Sequence, residues 1–369
     1  MEFNVERNAL LAELNLVQGV IEKKTTIPIL SNILLEAVGD RLDITATDLD
    51  VSICCGCAAS VETEGTTTLS ARRLFDIVRL LPDDAEIRFT QLENDWVKIK
   101  SKTSEYKVSG LPRENFPTIP DLAGPATSIP GAVIRAMIQR TMFAITQEET
   151  RYTLNGALLT VTPQEIKMVA TDGHRLALVS KRVELSGVDA EIKALVPRKT
   201  LVEIQKLIGD QDLLVGFGRD ENHLFFTVGG KRLVSRILAG QFPNYEMVIP
   251  RDNDKNVVAS ARAMSDGIRR AAVMSDEKLR AVRFAFSPGT AEVTASSAEA
   301  GEAHETIPVE YEGSSLEIGF NPQYLLDFLG ACGSESITLA VKDSETQGMF
   351  KPRDAADLDY RYIVMPMKF

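Results

Sequence analysis

Apolar residues recur every three to four positions in three stretches of this chain, residues 5–21, 130–146 and 261–276, which predicts an amphipathic helix in each. Each is followed by a run of alternating character that ends at a Thr or Ser turn: RLDITATD (41–48), EIKMVATD (165–172) and AEVTASS (291–297). Alternation places one side of an extended strand in a core. A second helical segment running into a strand completes each set, at 70–90, 196–217 and 320–341. The order is the same three times, and Asp48, Asp172 and Ser297 stand 124 and 125 residues apart. Solenoid repeats run to about 50 residues at most, so each copy is expected to be a domain with its own core. Further strands are expected at 42–46, 157–162, 167–171, 224–228, 232–237 and 283–287. Each repeat reads as two helices and roughly eight short strands, an α+β fold with helices on one face of antiparallel sheet.

Turn chemistry supplies the punctuation. Asp172-Gly173 between two strand-like runs predicts a two-residue hairpin, because glycine accepts the positive φ such turns need. Gly229-Gly230-Lys231 resembles a phosphate loop only superficially; it lies between two strands rather than before a helix, so a hairpin turn is expected. Proline clusters at 111–126 (LPRENFPTIPDLAGPA) and 240–256 (GQFPNYEMVIPRDNDKN) mark connections. Their Phe-Pro pairs, Phe116-Pro117 and Phe242-Pro243, stand 126 residues apart. The domains are expected at 1–122, 123–250 and 251–369.

Composition agrees with this division. At about 100–150 residues per domain, 369 residues make three. No run approaches the roughly 18 apolar residues of a membrane span, and the acidic, amphipathic start is unlike a signal peptide. A cytoplasmic location is expected. Three of four cysteines fall in ICCGC (Cys54, Cys55, Cys57; the fourth is Cys332), without the paired spacing of a zinc site, so a strand end in a reducing compartment is the plainer reading. Nucleotide, metalloprotease and nucleophile-elbow motifs are missing, and the three histidines stand at unrelated positions. No catalytic residue, metal or cofactor is assigned.

Charge changes the picture more than composition does. The whole chain carries −11, which alone argues against a nucleic-acid partner. The six predicted helices together carry +6, leaving −17 for everything else. Basic helices with acidic strands and loops give a molecule two electrostatic faces.

Two segments then carry a resemblance: ATDGHRLAL (170–178), close behind RYTLNGALL (151–159), and the C-terminal YIVMPMKF (362–369). With the triplication, LPRENFP and GQFPNY, they resemble the bacterial DNA polymerase III beta subunits, the sliding clamps, along the whole chain. The resemblance implies three tandem clamp domains closing as a head-to-tail homodimeric ring around duplex DNA. Such a ring is held on by topology, reads no sequence, catalyses nothing and confers processivity. The basic helices would face phosphates, whose attraction carries no sequence information.

Site residues follow from the same resemblance. A groove for partner peptides with apolar anchors is implied at Leu154, Thr171, Gly173, His174, Arg175, Leu176, Pro243, Val248, Asn321, Tyr324, Ile363, Val364, Met365, Pro366 and Met367. The polymerase III alpha subunit, the clamp loader delta subunit and other proteins with a clamp-binding motif would dock there. The DNA-facing set is Lys24, Arg72, Arg73, Arg79, Arg135, Arg140, Tyr152, Arg198, Lys199 and Lys206. The dimer joint is implied at Tyr106 and Val108 on one side and Val273 and Met274 on the other, with Arg72 and Arg73 facing acids in 298–305. Ordinary core packing is the plainer reading of the four joint residues, and edge-strand packing that of the MPM tail. The chain departs from the family at Met247, where Arg is common, at the Lys368-Phe369 ending, and in the acidic run 147–149. An enzyme on repeated domains, or a scaffold that ignores DNA, remains the alternative on residues alone.

Overall fold

The computed structural model describes residues 1–21, 26–122, 127–275, 281–297, 301–354 and 357–368. They form two compact units, Met1–Ala132 with Lys199–Ile237, and Val133–Arg198 with Leu238–Phe369. The first is built on a 13-stranded and the second on a 12-stranded antiparallel sheet. Among the described residues the helices are α1 (Arg7–Val17), α2 (Ala71–Leu80), α3 (Gly131–Thr141), α4 (Arg198–Ile208), α5 (Ala261–Ala272) and α6 (Pro322–Ala331).

The sheets do not follow the repeats. The middle repeat gives Lys231–Arg236 and its neighbours to the first sheet, and Glu165–Thr171 and Arg175–Arg182 to the second. Two joints of one kind result. Lys231–Arg236 pairs with Val51–Ala58, Leu233 opposite Ile53. Asp359–Val364 pairs with Arg175–Arg182, Ile363 opposite Leu176. In repeat order the third members of these two classes are Ser104–Leu111 and Gly301–Glu310. Ser104–Leu111 pairs with Trp96–Ser101 along its length, yet meets its other neighbour only at Gly110 and Leu111. Gly301–Glu310 pairs fully with Thr290–Ser297, but with Lys255–Ser260 only through Val309 and Glu310. Among the described residues, each leaves a stretch of one strand edge without a ladder partner.

The helices bury the stripes that their spacing predicted. Ala71, Leu74, Ile77 and Val78 of α2 face the core while Arg72, Arg73 and Arg79 stay out. On α5 the stripe is Ala261, Met264, Ile268 and Ala271; Gly267 lies within it because a Cβ there would come 2.6 Å from Ile307 Cδ1. Against α6 an aromatic stack joins Phe328 to Tyr362, with centroids 5.2 Å apart and planes 7° from parallel. Truncating such a buried ring costs about 3–5 kcal/mol.

Several helix limits differ from expectation, for local reasons. Residues 2–6 form a strand, with Val5 opposite Ile87, so α1 begins only at Arg7. α3 ends at Thr141, whose hydroxyl donates to the Met137 carbonyl at 2.8 Å before a 3-10 turn over Met142–Ala144. Phe320 ends a strand rather than opening a helix; the Asn321 side chain accepts from Gln323 N at 2.9 Å and Pro322 starts α6. Such a cap satisfies an orphan donor of the first turn. α5 stops at Ala272, and residue 276 lies outside the described residues. Gly229-Gly230 is the expected two-residue turn, at φ +55° and +81°. Asp172-Gly173 is not: Thr171 pairs with Leu176, so four residues make that loop.

Two carboxylates are buried that no local pattern announces. Glu13 of α1 is buried and pairs with Lys231 at 2.6 Å, its Oε2 left without a hydrogen bond. Glu203 of α4, 2% exposed, accepts from Lys206 at 2.8 Å. Cys54, Cys55 and Cys57 share the strand Val51–Ala58. Burial, reinforced by Glu13, pushes the Cys57 thiol up to about 11 and the Cys55 thiol further still. Among the described residues no group of three or more His, Cys, Asp or Glu is arranged to hold a metal.

Candidate functional site

The 171–175 loop is an Asx turn. Asp172 Oδ1 accepts from His174 N at 2.9 Å and from Arg175 N at 3.0 Å, while Thr171 Oγ1 accepts from Gly173 N at 3.1 Å and donates to Arg175 O at 2.6 Å. Gly173 sits at φ +90°, where only glycine is unstrained. The first repeat copies this turn in 47–51: Asp48 Oδ1 accepts from Asp50 N and Val51 N at 3.0 and 2.7 Å, and Leu49 N donates to Thr47 Oγ1 at 3.0 Å. Leu49 occupies the glycine position at φ 80°.

Arg175 organises one wall. Its Nε donates to Asp172 Oδ2 at 3.0 Å and its Nη1 to Asp327 Oδ2 at 2.6 Å; Nη2 donates to the Phe143 carbonyl at 2.6 Å. The guanidinium lies over the Tyr324 ring, 4.3 Å from its centroid, and 5.4 Å from that of Phe143. Charge-assisted bonds and a cation–π contact together fix the side chain. Burial raises the Tyr362 phenol far above its ordinary value against the lowering pull of Arg175, so it stays neutral and donates to Tyr324 O at 2.9 Å. Burial likewise raises Tyr324.

The C-terminal segment closes the other side. Met365 N donates to His174 O at 3.0 Å and Met367 N to Gly319 O at 2.9 Å, and between them Pro366 has no N–H to satisfy. The tail backbone is thus pinned like an edge strand, as the plainer reading has it, while the Met365 side chain stays 44% exposed. Residue 369 lies outside the described residues.

Between the turn, the tail and the 243–248 segment lies a predominantly apolar cleft of about 140 Å³. Its lining includes Leu154, Thr171, Gly173, His174, Arg175, Leu176, Pro243, Val248, Ile363 and Met365, all from the expected set. The other expected residues stand around it: Asn321 caps α6, Tyr324 stacks on Arg175, Val364 pairs with Arg175 in the ladder, and Pro366 and Met367 continue the tail. Asn244 and Tyr245 also line the cleft and were not singled out; the Asn-Tyr of GQFPNY was the available signal. Tyr245 meets Phe242 edge-on, centroids 6.3 Å apart. Asp327 and Phe143, which hold Arg175, carried no signal in the sequence. Methionine and aromatic walls adapt to varied apolar ligands.

The basic residues divide into exposed and internally engaged groups. Arg72 and Arg73 are exposed and line a cleft with Tyr106, Ile77 and Leu80. Arg79 is exposed, pairs with Asp76 at 3.2 Å and lies 5.6 Å from the Phe75 centroid. Tyr152 is 58% exposed. Lys199 bonds Asp48 and donates to the Val20 carbonyl at 2.8 Å. Lys206 pairs with buried Glu203. Arg135 and Arg198 are half-buried, and the Nε of Arg198 is a buried donor without a partner. Arg140 donates to the Ala136 carbonyl at 3.3 Å and packs on Gly333 at the end of α6. Lys24 lies outside the described residues. Of the expected joint residues, Val108 is buried at 4% opposite Val97, Tyr106 is half-buried opposite Ile99, and Val273 is 75% exposed just past α5, with Met274 half-buried beside it. Among the acids expected near the joint, Glu305 pairs with Arg270 at 2.6 Å, and 298–300 lie outside the described residues.

Comparison with known proteins agrees along the whole chain. Residues 1–120, 128–244 and 246–368 match the family models for the N-terminal, central and C-terminal domains of the DNA polymerase III beta subunit. The beta sliding clamp of Pseudomonas putida is 38% identical over 370 residues, spanning 100% of both chains. That of Escherichia coli K12 is 36% identical over 372 residues, again over 100% of both. A crystal structure of the Pseudomonas aeruginosa sliding clamp with ligand superposes with a TM-score of 0.94 at 38% identity, covering 100% of both chains. The Caulobacter crescentus clamp gives 0.93 at 35% identity, with the same coverage. The chain belongs to the DNA polymerase III beta subunit family, the sliding clamps: DNA clamps that tether the polymerase for processivity and catalyse nothing themselves.

Proposed function

We propose that this clamp encloses duplex DNA as a head-to-tail homodimer of three-domain protomers, bounded near 1–122, 123–250 and 251–369, and works in the cytoplasm. The two incomplete strand edges support the dimer. Val51–Ala58 and Arg175–Arg182 each receive a strand from the following repeat. Among the described residues Gly301–Glu310, the third of that class, and Ser104–Leu111 each lack such a partner along most of one edge. Pairing Gly301–Glu310 of one protomer with Ser104–Leu111 of another completes both ladders. Tyr106, Val108, Val273 and Met274 would then lie at the joint. The exposed Arg72, Arg73 and Arg79, with Arg135, Arg140, Tyr152, Arg198 and the less available Lys199 and Lys206, would supply the DNA-facing charge. On closed circular DNA the ring should persist and on linearised DNA it should run off; equal loss from both would sink the topological reading.

The groove receives the partners. The single observation that carries this is the apolar cleft formed where the 171–175 turn, the 243–248 segment and the Met365 tail converge in one unit. An extended segment with apolar anchors, held by backbone groups, fits such a site. The polymerase III alpha subunit, the clamp loader delta subunit and other clamp-binding-motif proteins are the proposed occupants. His174→Ala combined with deletion of 365–369 should abolish binding of a labelled alpha-subunit peptide while leaving the dimer mass intact. Unchanged titration curves would remove the groove from the account.

A further inference from the structure

We propose that Arg151 is a positioning residue for partner docking: by capping the Asp172 carbonyl it sets the pose of the 171–175 turn that walls the groove. The proposal rests on the partner-binding reading of that groove. All the side-chain hydrogen-bonding capacity of Asp172 described above is directed inward, Oδ1 to the turn's own amides and Oδ2 to Arg175. Its carbonyl accepts from Arg151 Nη1 at 3.0 Å. The same Nη1 would lie 3.1 Å from a Cβ on Gly173, so the guanidinium closes over the one residue of the turn with positive φ.

Arg151 is itself held. Its Nε lies 3.3 Å from Glu148 Oε2, and its amide donates to the Glu148 carbonyl at 3.1 Å. Its backbone, at φ −110° and ψ 51°, breaks the helical course of Glu149–Leu154. Three residues on, Leu154 lines the groove, and its carbonyl accepts from Thr146 N at 3.3 Å. One short segment therefore supplies a groove residue and, through a charged hydrogen bond to a main-chain oxygen, restrains the 171–175 turn that lines the same groove. An Asx turn alone leaves its outer carbonyl to solvent and its glycine free to change φ. The guanidinium removes that freedom before a ligand arrives, which is what preorganisation for binding requires.

The test uses the full-length protein with Arg151→Ala and Arg151→Lys. Hydrogen exchange of the peptide spanning 170–176 is followed in the free protein, and affinity for the labelled alpha-subunit peptide is followed by anisotropy. Arg151→Ala should speed exchange in 172–175 without altering that of the Ala71–Leu80 helix, and weaken the peptide about tenfold, the scale of one charged hydrogen bond. Arg151→Lys, which keeps a donor, should restore most of both. Unchanged exchange would overturn the proposal. So would weaker binding with unchanged exchange, since Arg151 would then be touching the peptide itself, and so would faster exchange with unchanged affinity. If the unsubstituted protein fails to bind the peptide, the groove reading falls first, and the wild-type arm shows it independently of Arg151.

Discussion

Arg175 lies 4.3 Å from the Tyr324 ring centroid, so a strand residue of the turn is held flat against the first turns of α6. Asp327, one turn along the same helix, takes its Nη1. Arg175→Ala leaves the side chains of Asp172 and Asp327, 15% and 23% exposed, without their cation. Removing one partner of a buried pair costs about 3–5 kcal/mol, and the partial exposure places the expectation near the lower end. Arg175→Lys keeps the charge but neither the planar stack nor the forked donors, so it should recover less than half of the loss. Urea denaturation of the three proteins at one concentration decides; an unaltered midpoint for Arg175→Ala would mean the network is idle.

The two copies of the Asx turn make opposite predictions for one exchange. Gly173→Leu forces a side chain into φ +90° with its Cβ near Arg151, and should cost about 1–2 kcal/mol, with weaker peptide binding. Leu49→Gly relieves the same strain at φ 80° in the first repeat, but adds freedom to the unfolded chain. These terms offset each other to within about 1 kcal/mol, so its melting temperature should hardly move. A large loss in Leu49→Gly would show that the Leu49 side chain, 47% exposed, has a contact role of its own.

These cases show what was legible in the sequence. Periodicity and the Asp48, Asp172, Ser297 spacing predicted the helices and their order, because a helix declares its buried stripe locally. They did not show that the middle repeat is shared between two sheets, since the partner of Leu233 is Ile53, 180 residues away, and no local pattern encodes it. Most of the residues that line the cleft stand in ATDGHRLAL or close to the MPM tail. Asp327 and Phe143 escaped because their part is to hold Arg175, which a helix-surface acid and a loop aromatic do not advertise. Charge counting missed that Lys199 of α4 is engaged by Asp48, 151 residues away, while Lys206 is held by Glu203 of its own helix, a charge the count already included.

Lys199 therefore separates stability from DNA attraction. Lys199→Met strands Asp48, whose side chain is 5% exposed, and should cost about 3 kcal/mol in denaturant melts. Because its ammonium is already engaged, the slope of log affinity for DNA against log salt should change by well under one. Arg72→Ala, exposed and without such a partner among the described residues, should leave stability nearly unchanged and lower that slope by about 0.9 if it neutralises one phosphate. The reverse pattern would reassign the two side chains.

The buried Cys55 and half-buried Cys57 thiols set an alkaline limit on stability. Burial and Glu13 raise Cys57 from the ordinary thiol value of 9.0 to about 11, and Cys55 in the same direction. A raised folded value means the contribution is fully present below pH 9 and is lost as pH climbs through the folded value, because the unfolded chain releases these protons first. The denaturation midpoint should hold to about pH 9 and then fall toward pH 11, and Cys57→Ser or Cys55→Ala should shrink that fall. A profile flat to pH 11 in the unsubstituted protein would contradict the burial of these thiols.

At the joint, fold and assembly must be told apart. Val108 is buried against Val97 within its own protomer, so Val108→Ala should lower stability by about 2 kcal/mol whether or not a dimer forms. Tyr106 is half-buried and Val273 is 75% exposed, so their substitution tests the assembly with less effect on the protomer core. Tyr106→Arg beside Arg72 and Arg73 gathers like charge on one face of the proposed joint, and Val273→Arg puts a cation on the other. Either should shift the mass in solution from twice 40.5 kDa to 40.5 kDa and abolish retention on circular DNA, with circular dichroism unchanged. If both variants keep the doubled mass, the dimer does not close through the strand edges Ser104–Leu111 and Gly301–Glu310, and the ring must be joined elsewhere.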